Sequence, residues 1–239
     1  MNWRDEGVLL SMRPHGESAA IIEVLTALHG RHAGVVRGGA SRKMAAMLQP
    51  GSGVQLEWRA RLDGHIGTFT VEPLKSRAHL MSDWLALAGL MSVCSLLRAA
   101  LPEREPHQAL WSATIRLFDC LGADGWTSTY LRWEVQLLEE LGFGLDIQRC
   151  AVTGATEGLA YVSPKTGRAV TRAGAGGWAD RLLPLPPGLT GEAFLTPEDV
   201  CAGLKLTGFF LDLGLRPVLH DRPLPEARAR LVDLLSRPA

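Results

Sequence analysis

Val54-Gln55-Leu56-Glu57-Trp58-Arg59-Ala60-Arg61-Leu62-Asp63 alternates apolar and polar side chains along its whole length. A strand turns successive side chains to opposite faces. Val54, Leu56, Trp58, Ala60 and Leu62 therefore share one side, and Gln55, Glu57, Arg59, Arg61 and Asp63 the other. This is the pattern of a half-buried antiparallel strand, with Trp58 inward and two arginines outward. Asp63-Gly64-His65 makes a turn into a second run, Ile66 to Val71. Upstream, Ala20 to Leu28 and His32 to Arg37 flank a His29-Gly30-Arg31 turn and read as another hairpin. Four or five short strands in the first 75 or so residues, with glycines at the bends and no helix of convincing length between them, predict a small β barrel.

After Pro73 the period changes from two to that of a helix. Ser82 is placed to cap a helix whose stripe runs Trp84, Leu87, Met91, Cys94 and Leu97, until Pro102 stops it. Pro106 opens the next, with Leu110, Trp111, Thr114, Leu117, Phe118 and Leu121 on one face and Gly122 behind it. A third spans about Thr127 to Leu141, with Leu131, Val135 and Leu138 inward and Gly142 as terminator. Residues 143–188 lose helical periodicity and are rich in Gly, Thr and Pro, with a hairpin expected around Pro164-Lys165-Thr166-Gly167. Thr196-Pro197-Glu198-Asp199 is a capping sequence with acids in the first turn, leading a helix to about Leu213. Leu224-Pro225-Glu226 begins a last helix through Leu235. Neither set of helices buries much alone, so both are expected in one bundle. The layout is a barrel over 1–78, helices over 79–145, an insertion over 146–188 and helices again over 189–239.

The charge is sorted along the chain. Overall it is neutral, with 25 Lys/Arg against 25 Asp/Glu, yet residues 1–80 hold ten basic and seven acidic side chains. Between Glu23 and Glu57 there is no acid at all, while Arg31, Arg37, Arg42 and Lys43 lie there. The segment Arg37-Gly38-Gly39-Ala40-Ser41-Arg42-Lys43 joins glycine-freed amides to guanidinium and ammonium groups, a combination that suits phosphates. An ordinary solvated loop has the same composition. Five of the seven histidines, His15, His29, His32, His65 and His79, also fall in this third, where partial protonation near pH 6.5 would deepen the positive potential.

Several classes are disfavoured. The four cysteines, Cys94, Cys120, Cys150 and Cys201, show no short pair spacing, which fits a reducing cytosol and neither a disulfide framework nor an intact zinc knuckle. The charged start Met1-Asn2-Trp3-Arg4-Asp5-Glu6 is unlike a secretory signal. The longest uncharged stretch, Trp84 to Leu97, is short of the roughly 20 residues that span a bilayer. A cytoplasmic protein is expected. No phosphate-binding P-loop, His-Glu-x-x-His or nucleophile elbow is present. Gly174-Ala175-Gly176-Gly177 lacks the strand and helix of a dinucleotide motif, and Cys94 and Cys120 lie in or beside apolar stripes as structural thiols do. Binding, not catalysis, is the expectation. A barrel with a basic acid-free loop and outward Arg59 and Arg61 fits single-stranded nucleic acid tracked by its backbone. Trp3 is either a stacking platform or core. The opposing reading is an interaction module whose basic face takes an acidic peptide.

Several stretches carry a family likeness: Gly7-Val8-Leu9-Leu10 with His15-Gly16-Glu17; Val36 to Lys43 leading to Leu48-Gln49-Pro50-Gly51; Arg132-Trp133-Glu134 with Leu137 to Asp146 and Arg149-Cys150-Ala151; and Pro223 to Leu231. Their order and spacing, over nearly the whole chain, resemble the RecO family of bacterial recombination mediators, in its alphaproteobacterial form. The resemblance implies an α+β multidomain protein: an oligonucleotide-binding (OB) barrel, an all-α helical bundle, and a small irregular or β insertion that in some members holds zinc through four cysteines. It implies a non-enzymatic role near the nucleoid. Members bind single- and double-stranded DNA, anneal strands and, with RecR, load RecA onto strands coated by single-strand binding protein (SSB). Arg31, Arg37, Arg42, Lys43, Arg59 and Arg61 are then the expected DNA contacts. For the acidic, apolar SSB tail the candidates are Arg116, Arg132 and Lys205. The zinc pattern is degenerate: Cys150 matches the first ligand, Thr153-Gly154 stands where Cys-Gly would complete the pair, and Gly167 to Thr171 lacks the second pair. No metal and no cofactor are expected. The rival reading is an adaptor that binds only proteins and reaches DNA through them.

Overall fold

The computed structural model describes residues 1–62, 64–191 and 195–237. Asp63, at the head of the expected Asp63-Gly64-His65 turn, lies outside them. The contacts divide the chain into two units, residues 1–122 with 225–228, and residues 123–224 with 229–239.

The first unit is built on five strands: β1 (Asn2–His15), β2 (Ala19–Thr26), β3 (Gly30–Val36), β4 (Gly53–Arg59) and β5 (Thr68–Lys75). They close into a barrel in the order β1-β2-β3-β5-β4, antiparallel except for β3 beside β5. Its core holds Leu9, Ile22, Val24, Val36, Val54, Leu56, Trp58 and Phe69. The alternation of the β4 stretch is therefore realised up to Trp58. The strand ends at Arg59, short of Leu62, because its neighbours end there: Arg59 pairs with Asn2, the first residue of β1, and with Thr68, the first of β5. Beyond it Leu62 is exposed. For the same reason β5 begins at Thr68, not Ile66, and continues to Lys75.

A helix does interrupt the strands. The six-residue α1 (Arg42–Met47) follows β3, with the Ser41 hydroxyl accepting from the Met44 N–H at 3.4 Å. Next come α2 (Trp84–Ala100) and α3 (Gln108–Cys120). Asp83, not Ser82, caps α2, its carboxylate accepting from the N–H groups of Leu85 and Ala86 at 3.0 Å. The buried face of α2 carries Ala86, Leu90, Val93, Cys94 and Leu97, leaving Trp84 and Met91 exposed. The helix is apolar on most of its circumference, and the barrel selects the face: the Cys94 thiol donates to the Leu9 carbonyl at 3.9 Å, and Arg98 pairs with Glu23 at 2.7 Å. The α3 stripe is as expected at Leu110, Thr114, Leu117, Phe118 and Leu121, which are buried, while Trp111 is half-buried at its edge. Both helices group with the barrel.

In the second unit α4 (Trp126–Glu140) packs against α6 (Pro197–Leu219). The two are tied through the fully buried Glu134, whose carboxylate accepts from the hydroxyls of Tyr130 at 2.8 Å and Thr207 at 2.5 Å. Thr196 and Asp199 form the capping box, and α6 runs past Leu213, carrying Pro217 in its last turn. The insertion holds a three-stranded sheet in the order β7 (Ala169–Thr171), β6 (Leu159–Val162), β8 (Leu183–Pro184), with a short α5 (Arg172–Ala175). The Ser163 carbonyl accepts from Gly167, closing the expected hairpin. A last helix, α7, spans Glu226–Leu235.

Candidate nucleic-acid interface

The basic turn sits where β3 leaves the barrel. Gly38 turns the chain with φ +69°, the Gly39 N–H donates to the Val36 carbonyl at 3.2 Å, and the Ala40 N–H donates to Ser18 at 3.1 Å. Arg37 therefore emerges at the strand end, and Arg42 and Lys43 on the first turn of α1. All three are exposed, and among the described residues none has an ion-pair or hydrogen-bond partner. Met44 and Leu48 turn inward to the barrel core, which fixes the opposite side of α1 outward.

Register adds a cation that sequence reading missed. Arg13 on β1 pairs with Ile21, which pairs with Val35, two residues before Arg37. Arg13 is exposed at this same end of the β1–β2–β3 sheet, with His15 two residues on. Its signal was the parity of Met12, inward against the core, and Arg13, outward. An acid count starting at Glu23 passed it by.

The other expected DNA contacts are placed differently. Arg31 is turned into the protein: its side chain is 15% exposed and pairs with Glu23 at 2.8 Å and Glu103 at 3.6 Å, and its Nε donates to the Leu101 carbonyl at 2.9 Å. Arg59 points outward but is bound to Glu57, its Nε donating at 2.9 Å, and Arg4 reaches the same carboxylate at 3.8 Å. The hydrogen bond from Arg59 holds the Glu57 carboxyl below its ordinary range. Arg61 lies just past β4, exposed and without a partner among the described residues.

The histidines do not act as a group. His32 is 4% exposed inside the barrel, ringed edge-on by Trp58 at 4.8 Å, Trp3 at 5.2 Å and Phe69 at 6.1 Å. Neither ring nitrogen has a partner. Burial, then the positive charges of Arg104 and His29, push it down to about 4, so it stays neutral near pH 6.5 and adds nothing to the potential. Trp3 is half-buried, stacked on His29 with centroids 4.1 Å apart and packed against the barrel core. It is part of the barrel's lining.

Of the three SSB-tail candidates, Arg116 belongs to the first unit and Arg132 and Lys205 to the second. Arg116 on α3 borders a pocket of about 430 Å³ with Leu74, Trp111 and Ile115, beside Lys75 and Asp119. Lys205 on α6 borders a larger groove of about 720 Å³ whose apolar wall includes Leu183, Pro184, Leu206 and Leu235, with Arg237 at its rim. Arg132 donates to the Gly191 carbonyl at 2.9 Å.

At the degenerate zinc position, Cys150 is buried in the small core of the insertion with Val170 and Ala175. Its Sγ accepts from the N–H groups of Val152 and Thr153 at 3.4 Å and of Thr171 at 3.3 Å, with the Thr171 hydroxyl at 3.5 Å. Burial raises the thiol's pKa, but the donors of Thr153 and Thr171 outweigh it and bring it to about 6. One sulfur among hydroxyls and amides does not fit zinc, which needs about four thiolate, imidazole or carboxylate ligands. Among the described residues no three His, Cys, Asp or Glu side chains come together. Cys94, by contrast, is pushed up to about 12 by burial, as befits a packed thiol.

With this geometry in hand, the comparisons with known proteins are decisive for the family. Residues 1–77 match the family model for the recombination protein O N terminal, and residues 81–223 the model for its C terminal. The chain belongs to the RecO family of DNA repair proteins. It is 63% identical to the DNA repair protein RecO of Cereibacter sphaeroides over 237 residues, 99% of each chain. The RecO proteins of Ruegeria sp. and Dinoroseobacter shibae are 57% and 53% identical, again over 99% of each chain. The closed five-stranded barrel is the OB barrel of this family, and the helices after it are its C-terminal part. Among the described residues no helix is long and apolar enough to cross a membrane.

Proposed function

We propose that this chain serves DNA repair as a non-enzymatic mediator that grips DNA phosphates through the basic turn of its barrel. Arg37, Arg42 and Lys43 are the primary contacts, joined by Arg13, with Arg61 and the Glu57-bound Arg59 as flanking charge. Arg31 holds β3 in place. The observation that carries this reading is the set of three exposed cations with no protein partner among the described residues, on a turn anchored by glycine and by the core contacts of α1. Cations that serve the fold are tied to carboxylates, as Arg31 is, whereas cations left to solvent at one sheet end suit a polyanion.

Annealing follows from the same chemistry. It needs two strands held close with their charge screened and their bases free, which a surface reading phosphates without base edges provides. No catalytic step is called for. In this reading the chain, cytoplasmic and nucleoid-associated, works with RecR to load RecA onto SSB-coated single strands. The groove beside Lys205 and Arg237, apolar on one side and lined by these two cations against the single acid Glu198, is the better of the two seats for the acidic SSB tail. That groove also supports the second reading, a protein-only adaptor, since it would work without any DNA contact.

The two readings separate in one titration. A labelled mixed-sequence single strand is followed by fluorescence anisotropy at several salt concentrations, with the wild type and with Arg37→Ala, Arg42→Ala and Lys43→Ala combined. The triple variant is expected to lose affinity for unrelated sequences alike, and its log–log salt slope to flatten by about 2, since each phosphate contact on a single strand contributes roughly 0.7. Unchanged affinity and slope would move the DNA site elsewhere, and no binding by the wild type at low salt would leave the adaptor.

A further inference from the structure

The insertion leaves one large aromatic side chain in solvent. Trp178 is 64% exposed, at the end of the glycine run Gly174-Ala175-Gly176-Gly177. It is held firmly nonetheless. It lies in a short 3-10 segment, Gly176–Arg181, between Ala175 and Ala179, both of which pack into the insertion's small core, and the Leu182 N–H closes the segment on the Ala179 carbonyl at 3.1 Å. The Arg181 guanidinium sits 4.9 Å from the ring centroid of Trp178. An exposed indole on an anchored stretch of backbone, with a guanidinium beside it, has a use that a packed tryptophan lacks: it offers a π surface and a positive charge to one ligand.

The insertion is rich in basic residues: from Asp146 to Arg181 the chain carries five Lys/Arg and three Asp/Glu, with Asp180 between Trp178 and Arg181. Arg168 is paired with Asp146 at 3.3 Å, but Arg172, exposed six residues before Trp178, has no partner among the described residues.

We propose that Trp178 and Arg181 form a stacking platform for an unpaired nucleobase of single-stranded DNA, with Arg172 and Arg181 neutralising the adjoining phosphates. The inference rests on the DNA-binding reading above and deepens it. The barrel turn holds phosphates, which duplex and single strand share, whereas an indole face can take only a base that is free of its stack. The insertion thus supplies preference for single strands, a property the barrel cations cannot provide. It also gives this zinc-less insertion a role that depends on the loop, not on a metal. An apolar side chain of a partner protein is the competing occupant, and the test distinguishes it by asking specifically for a base.

The full-length protein is titrated against three labelled ligands: a mixed-sequence single strand, the same strand carrying a run of abasic sites, and a hairpin duplex. Trp178→Ala is expected to weaken the intact strand roughly tenfold, in keeping with the loss of one aromatic–base stack. It should leave the abasic strand and the duplex at wild-type affinity, while Trp178→Phe keeps most of the single-strand preference. No change on the intact strand, or an equal loss on all three ligands, overturns the proposal. The combined Arg37, Arg42 and Lys43 variant separates the two claims. If that variant binds as the wild type does while Trp178→Ala fails, the barrel reading falls and the platform stands. A wild type that binds no strand sinks both.

Discussion

The two ends of β3 are built from the same materials and used oppositely. Each has a glycine in the left-handed region, Gly30 at φ +64° and Gly38 at φ +69°, and each has an arginine beside it. At the first end a Cβ on Gly30 would lie 2.0 Å from the Glu105 carbonyl oxygen, and Arg31 is locked to Glu23, Glu103 and the Leu101 carbonyl. At the second end a Cβ on Gly38 would meet nothing within 4 Å, and Arg37, Arg42 and Lys43 face solvent. Glycine serves close packing at one end and chain reversal at the other. Arginine serves the fold at one end and is available to a ligand at the other. Residue type therefore does not assign a function here, but the density of protein around each residue does.

The sharpest way to break this contrast is Gly30→Ala. The added methyl meets main chain, which cannot swing aside, at a φ that L residues rarely adopt. Overpacking and left-handed strain together are expected to cost about 3–5 kcal/mol, read from the urea midpoint. A shift under about one kcal/mol would show that the segment after α2 is not packed on β3 as tightly as described. Arg31→Ala comes next. It leaves the half-buried Glu23 with Arg98 and the Ser11 hydroxyl, and the Leu101 carbonyl without its donor, a loss of about 2–3 kcal/mol, less than the full cost of breaking a buried pair because those two partners remain. Its salt slope for DNA should stay that of the wild type. A flattened slope with unchanged stability would return Arg31 to the phosphate-binding set.

The next residue along the tied end gives the third test. His32 titrates near 4 in the fold against about 6.5 when unfolded, so between these values the unfolded chain binds the extra proton. Stability is full above pH 6.5 and declines as pH falls toward 4. Burial among Trp3, Trp58 and Phe69 removes the water a charge on His32 would need, and the charges of Arg104 and then His29 add to that penalty. Urea midpoints measured from pH 7 to pH 4 should fall, and His32→Leu should flatten that fall. A wild-type midpoint that holds steady through the window would mean that His32 finds a partner when protonated.

How much of this was legible beforehand follows the range of the forces. Alternation fixed Val54, Leu56 and Trp58 inward because strand parity is local, and it failed at Leu62 because a strand ends where its neighbours do. The α3 stripe was readable because its other face is polar. On α2 nearly every face is apolar, so periodicity could not choose, and contact with the barrel exposed Trp84 and Met91. The same limit applies to the site. Arg37, Arg42 and Lys43 were found by the absence of nearby acid in sequence. Arg31 satisfied the same criterion, yet its partner Glu103 lies 72 positions away and Glu23 reaches it only through the β2–β3 register. His32 became neutral by burial, which no count of histidines contains.

Gly38→Ala carries the smallest expected effect and tests the open end most directly. With nothing within 4 Å of the new methyl, no packing is disturbed, and the cost is the left-handed backbone alone, about 1–2 kcal/mol. Part of that is returned because alanine restricts the unfolded chain, so a net loss near about 1 kcal/mol is expected. The consequence for binding is separate. If the turn only carries Arg37, Arg42 and Lys43, a variant chain that still reverses at this position keeps them in place, and DNA affinity should stay within about twofold of the wild type. The N–H groups of Gly39, Ala40 and Ser41 already donate to the Val36, Ser18 and Gly38 carbonyls. If another main-chain N–H of the turn holds a phosphate, the methyl and the strained backbone would disturb that contact, and affinity would fall by roughly tenfold or more with the salt slope nearly unchanged. The two results divide the site between side-chain charge and main-chain dipole. At the tied end of β3 that division cannot be tested, because a methyl at Gly30 meets main chain before any ligand could.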